Sequence, residues 1–142
     1  MDPAPRAYDE LPHDSTLGIT VPFACSGELQ SAKLIDRRRV IQCALSRICG
    51  ICGASLGRPI AFLGSQEEAA RNAFHFPPAH LECAERMLAE VEDVPVAVLG
   101  QDAPPAGWAL VTTGGFEFVR PGRDDVDRRP VFEPNSLLDA AS

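Results

Sequence analysis

Two short stretches, CGICG at residues 49–53 and PPAHLEC at residues 77–83, decide how the middle of this chain folds. The first holds two cysteines separated by two residues, and the second holds a histidine and a cysteine at the same separation. Glycine after each cysteine of the first stretch lets the backbone turn tightly enough to bring both sulfurs to one point. The prolines of the second stretch stand just before a predicted helix, whose first turn presents its histidine and cysteine on one face. The two pairs are separated by 27 residues and comprise Cys49, Cys52, His80 and Cys83.

Thiolates and imidazoles in two closely spaced pairs are the donor set that zinc prefers in small domains. The competing interpretation is three core cysteines and a stray histidine, but two correctly spaced pairs are far more specific than one. We therefore expect Zn²⁺ bound by Cys49, Cys52, His80 and Cys83. Four protein ligands leave no position for water, so the expected role of the zinc is structural. The turn that holds Cys49 and Cys52, called here the knuckle, should unfold without the metal.

Composition limits the class of protein. The chain has 142 residues, enough for one domain with a real core, and 45 % of them are hydrophobic. No run of about 18 apolar residues is present, so we expect no membrane span. The N-terminus shows no secretory signal, which predicts a cytoplasmic protein. Five cysteines in a reducing compartment indicate metal or thiol chemistry more than disulfides.

Charge is distributed unevenly along the sequence. The net charge is −7, yet six of the 13 basic residues lie between positions 31 and 60, against one acidic residue. Nucleic-acid contact by this basic segment, 33–58, is one interpretation. Internal pairing with the acidic residues of 61–93 is the one we favour, because internally paired charges are the commoner use of such runs and the net charge of the chain opposes binding of a polyanion. The candidate contact residues are Arg37, Arg38, Arg39, Arg47 and Arg58.

Periodicity predicts the remaining elements. Apolar spacing and turn residues indicate an N-terminal arm at 1–30, a zinc-knuckle core at 31–93 and a β-rich segment at 94–142 packed on it, as a single domain. Within the first predicted helix the apolar stripe is Ile41, Ala44, Leu45 and Ile48, and in the last one Glu82, Glu85, Glu90 and Glu92 mostly face water. The predicted elements are an edge strand at 17–24, a helix at 36–48, a hairpin at 53–64, a helix opened by a capping box of Ser65 and Glu68, a helix at 79–92, and strands at 108–113, 116–120 and 130–132 that form a meander.

A cysteine knuckle, a hairpin and a helix that supplies the other two ligands resemble a treble-clef zinc finger. The stretches CGICGASLGRPIAFLG at 49–64 and FPPAHLECAERML at 76–88 are similar to a group of uncharacterised small zinc-finger proteins of high-GC bacteria and their phages. The resemblance covers residues 40–93 well and 108–134 more loosely, and leaves the first 30 outside. It implies an α+β fold built on a treble-clef-like knuckle with a flanking helix and a C-terminal β-meander, and it implies no activity.

Other chemistry-bearing residues are assigned simpler roles. His75 lacks the helix-start position of a ligand, and Cys25 and Cys43 are expected to be buried free thiols. Zinc deaminases place H-x-E before P-C-x2-C, whereas here the order is reversed and Cys83 would fill the open metal position. HNH-type nucleases are disfavoured because no paired histidine or Asp-His motif occupies the hairpin.

These observations predict a non-enzymatic protein with a structural zinc finger that recruits another protein. The alternative is a small nucleic-acid-binding regulator that uses the basic segment.

Overall fold

The computed structural model describes residues 7–26 and 31–136, and it has the α+β character that the sequence predicts. Residues 1–6 and 27–30 of the predicted arm and residues 137–142 of the predicted β-rich segment lie outside these ranges. Three α-helices and several small antiparallel sheets make up the described part. The helices are α1 (Arg37–Ser46), α2 (Gln66–Ala70) and α3 (Leu81–Val91), and the strands are β1 (His13–Asp14), β2 (Ile19–Thr20), β3 (Ile60–Ser65), β4 (Ala79–His80), β5 (Trp108–Thr113), β6 (Phe116–Val119) and β7 (Val131–Pro134).

A three-stranded antiparallel sheet in the order β4-β3-β5 forms the centre of the fold. All six residues of β3 are buried. Ala61 and Leu63 pack into one hydrophobic cluster together with the inner side of α3, while Ile60 and Phe62 pack into a second cluster. A continuous apolar run suits a strand that is covered on both faces.

The hairpin predicted at 53–64 is therefore wrong. Residues from Ile60 onward pair with two strands distant in sequence, and residues 53–59 form no strand, with Ser55 in a single bridge to Ile48. A local pattern of glycine and proline between apolar residues indicates a turn, but it does not specify which strand lies beside the next one.

The predicted C-terminal meander is also wrong, although its three strands form close to where they are expected. Among the described strands, β5 pairs with β3 and β6 pairs with β7, so β5 and β6 belong to different sheets. Aromatic packing joins the β6–β7 hairpin to β3, because Phe116 and Phe132 lie against Phe62, and Phe118 lies against Phe132.

The N-terminal segment packs on the rest of the chain. The edge strand predicted at 17–24 shortens to β2, which pairs with β1, and residues Phe23–Cys25 form a 3-10 turn. Tyr8 and Leu11 are buried in the core. The side chain of Asp14 accepts hydrogen bonds from the backbone N–H groups of Thr16, Leu17 and Ala32, at 3.0, 3.2 and 3.2 Å.

The sequence predicts where the helices begin better than it predicts which of their faces are buried. Asp36 caps α1 by accepting from Arg38 N–H, and the predicted capping box of Ser65 and Glu68 is confirmed at α2. The predicted stripe of α1 is wrong at Leu45, which is 67 % exposed, whereas Val40 and Cys43 are buried and Ala44 packs against the second cluster.

In α3, Glu90 also departs from the expectation that it faces water. Its carboxylate accepts hydrogen bonds from the Tyr8 hydroxyl and from the backbone N–H and hydroxyl of Thr20. Among the described helices, none is long and apolar enough to cross a bilayer.

Candidate metal centre

The structure brings the four predicted ligands together. One donor atom from each of Cys49, Cys52, His80 and Cys83 lies within 4.8 Å of all the others. The Nδ1 atom of His80 is 3.4 Å from the sulfur of Cys52 and 3.8 Å from that of Cys83. A regular tetrahedron with zinc's usual bond lengths has sulfur-to-nitrogen edges of about 3.6 Å. The cluster therefore has the size and donor chemistry of a Cys3His zinc site.

The Cys49 sulfur is the most enclosed donor. It accepts backbone N–H groups from Ile51, Cys52 and His80 at 3.3, 3.4 and 3.4 Å. Burial on its own would raise the pKa of Cys49, but hydrogen bonds from the side chains of Cys52 and Cys83 and from the backbone of Cys52 and His80 outweigh it, so the pKa is lowered. The loop favours a thiolate at this position, which is the form that binds metal.

Glycine is required at two places in the knuckle, for different reasons. Gly53 has φ of +79°, and a Cβ there would lie 3.1 Å from the Phe23 ring. Gly50 is confined by close packing, because an added Cβ would lie 3.0 Å from Pro77. The N–H of Gly50 also donates to the carbonyl of Pro78 at 2.7 Å, which joins the two ligand stretches.

His80 is held in a single orientation by the backbone. It ends β4 and is the N-cap residue of α3, with Ile60 of β3 as its partner across the sheet. Its Nε2 atom lies 2.8 Å from the carbonyl oxygen of Ser55. Because a carbonyl only accepts, Nε2 carries the proton and Nδ1 directs its lone pair at the sulfurs. Metal-binding histidines use this kind of outer hydrogen bond to fix the ring. Sequence reasoning missed Ser55, since a backbone carbonyl leaves no signal in residue type.

Cys83 enters the cluster from the first turn of α3 and is partly exposed. Its thiol donates to the sulfurs of Cys49 and Cys52, and these hydrogen bonds, with burial, raise its pKa well above the usual range. A metal ion binds the thiolate and displaces the thiol proton, so metal affinity at such a site depends on pH.

The remaining cysteines and the buried histidine lie outside the cluster. Burial raises the pKa of Cys25 and that of Cys43, which suits inert core thiols. His75 is buried, with Nδ1 3.3 Å from the carbonyl of Pro130 and Nε2 3.6 Å from Asp127. These positions agree with the simpler roles that the sequence predicts for all three.

The basic residues do not converge on one patch. Arg39 packs over the ring of Phe23 and donates to Ser26, and Arg47 packs over the ring of Phe116. Arg37, Arg38 and Arg58 are exposed. Pairing with the acidic residues of 61–93 is not what the structure shows: among the described residues, the ion pairs involve Arg86, Arg129 and His75 only. Two of the arginines pack on aromatic rings instead, and a run of charged residues in the sequence does not indicate such contacts.

Comparison of the chain with protein-family models, with curated proteins and with solved structures found no match to any of them. The interpretation of this centre therefore depends on its geometry: three sulfurs and one imidazole nitrogen gathered in a cluster that can hold a metal ion.

Proposed function

We propose that this chain is a non-enzymatic zinc-binding protein whose Cys3His site is a structural zinc finger of treble-clef type. The observation that carries the proposal is the convergence of all four donor atoms within 4.8 Å. When bound, zinc would supply a rigid cross-link between the knuckle at 49–52 and the β4–α3 junction. Small folds gain much of their stability from such a link.

A structural role follows from the number of protein donors. Four of them satisfy tetrahedral zinc, and catalytic zinc sites keep one position for water or substrate. Glu82, the acidic residue of the H-x-E sequence, is exposed on α3, and Cys83 takes the place that a catalytic water would need. We therefore assign no deaminase or nuclease activity to the site.

The treble-clef assignment is supported by the order of the elements. The knuckle is followed by β3, which pairs antiparallel with β4, and α3 begins directly after β4. The first ligand pair thus comes from the knuckle and the second from the start of the helix. The connection between the two strands includes α2, so it is longer than a tight hairpin.

Because the metal would only stabilise the fold, we propose that the function depends on the exposed surface and that this surface recruits another protein. A second candidate is nucleic-acid binding, favoured by the exposure of Arg37, Arg38 and Arg58. The net charge of −7 opposes it. A gel shift with duplex DNA and RNA at low and moderate salt separates the two, because phosphate contacts weaken steeply as salt rises.

Elemental analysis of the purified chain tests the zinc assignment. We expect one zinc per chain in the wild type and loss of most of it in Cys52→Ser and in Cys83→Ser. Cys43→Ala is the matched control, because Cys43 is also a buried cysteine but lies outside the cluster, and it should keep its zinc. Full zinc content in both ligand variants would overturn the proposal.

A further inference from the structure

We infer that the outward face of α1 is a docking surface for an acidic, amphipathic segment of a partner protein. The inference rests on the proposed function and names the chemistry of the partner. The surface, called here the α1 face, consists of Arg37, Arg38, Ile41 and Leu45.

Helical spacing places these side chains together. Residues three and four positions apart are neighbours on a helix, so Arg38, Ile41 and Leu45 form one row and Arg37 lies beside it. Burial agrees with this arrangement, because Val40 and Cys43 on the opposite side are fully covered. The α1 face is therefore directed away from the core along the length of the helix.

Within the part of the chain that the structure describes, neither the charged nor the apolar residues of this surface are compensated. Arginine in the first turn of a helix opposes the positive end of the helix dipole, where acidic residues are preferred. Arg39, in the same turn, is held by Phe23 and Ser26, whereas Arg37 and Arg38 form no ion pair among the described residues. The carboxylate of Asp36 is engaged as the N-cap.

The apolar part of the α1 face is Leu45, which is 67 % exposed, and Ile41, which is half-buried. Leu34, which lies outside the α1 face and two residues before the N-cap, is 62 % exposed. Residues whose type is unfavourable for the local structure, with no visible gain in stability, are typical of functional sites. A partner that carries carboxylates and apolar side chains would compensate for both kinds.

The mixture of groups favours a protein over a nucleic acid. Phosphates would neutralise the arginines, but a nucleic-acid backbone offers nothing apolar to cover Leu45. An amphipathic peptide can do both at once, with apolar anchors on the leucine and carboxylates on Arg37 and Arg38.

Selection from a displayed library of random 16-residue peptides on the zinc-loaded full chain tests the inference. We expect enriched peptides that combine Asp or Glu with apolar residues. Their affinity, measured by fluorescence anisotropy, should fall about tenfold to a hundredfold in Leu45→Ser and at least about tenfold in Arg37→Glu/Arg38→Glu. Val126→Ser and Arg123→Glu are matched controls, because both residues are exposed and lie in the β6–β7 loop; these variants should bind as the wild type does.

Each other result overturns the inference. It fails if no such peptides are enriched, if the controls weaken binding as much as the α1 variants, or if a DNA or RNA duplex binds and is lost on the α1 substitutions. Zinc content, measured on every variant, separates this failure from failure of the proposed function. A zinc-loaded chain that binds peptides through another surface keeps the proposed function and refutes only the α1 face, whereas a zinc-free wild type refutes the proposed function.

Discussion

Glu90 joins the N-terminal segment to α3, and its replacement is the sharpest test of how that segment is held. Its carboxylate accepts from Tyr8 and from both the backbone N–H and the hydroxyl of Thr20, at 2.8 and 3.0 Å for the two Thr20 contacts. Thr20 is 3 % exposed, so water cannot easily replace the lost acceptor. An unsatisfied buried donor costs about 1–3 kcal/mol, and losing the charged hydrogen bonds adds to it. We expect Glu90→Ala to lower the free energy of unfolding by about 2–4 kcal/mol.

Chemical denaturation of the zinc-loaded protein measures this loss, and hydrogen exchange at the Thr20 amide locates it. Glu85→Ala is the matched control, since Glu85 is an exposed glutamate of the same helix, and it should change stability by less than about 0.5 kcal/mol. A loss in Glu90→Ala as small as that of the control would contradict this prediction. It would mean that the N-terminal segment is held by apolar packing and not by this carboxylate.

Three further predictions concern other parts of the fold. Burial on its own would raise the pKa of Asp14, but hydrogen bonds from Ala32, Leu17, Thr16 and Ser31 outweigh it and lower the pKa. The Asp14 carboxylate therefore stabilises the fold above the unfolded-state pKa of about 3.9, and this stabilisation is lost as pH falls through the folded-state pKa. The stability difference between wild type and Asp14→Asn should shrink between pH 6 and pH 3, and a constant difference in denaturation experiments would contradict this. Gly53→Ala should weaken zinc retention against a chelator, because φ of +79° and the Phe23 ring at 3.1 Å both oppose a Cβ; unchanged retention would show that the knuckle tolerates the strain. Phe132→Ala, which empties the centre of the aromatic cluster, should lower the free energy of unfolding by about 3–5 kcal/mol in the same denaturation assay, and a loss below about 1 kcal/mol would show that the cluster collapses around the gap.

Sequence reasoning works best where the determinant is local. The ligand pairs are set by short spacings, and the capping box of Ser65 and Glu68 is a four-residue signal; the structure has both as expected. The strand at Trp108–Thr113 also forms at the predicted residues, because its apolar and β-branched side chains suit a strand in any sheet.

The errors in the predictions arise where the structure of a segment depends on residues far away in the sequence. Ile60 to Gly64 reads as half of a hairpin, yet its true neighbours are β4 and β5, far along the chain. Leu45 is apolar and correctly spaced for the core, but the helix turns Val40 and Cys43 inward. Glu90 looks like a solvent-facing residue until Tyr8 and Thr20 are placed beside it. Composition and periodicity contain none of these long-range contacts.

X-ray absorption spectroscopy at the zinc edge of the purified full chain counts the sulfur, nitrogen and oxygen neighbours of the metal. We expect one zinc per chain with three sulfur neighbours at about 2.3 Å, one nitrogen at about 2.0–2.1 Å and no further oxygen ligand. A spectrum with two or fewer sulfurs, or with an oxygen ligand from water, would contradict a closed site made by Cys49, Cys52, His80 and Cys83.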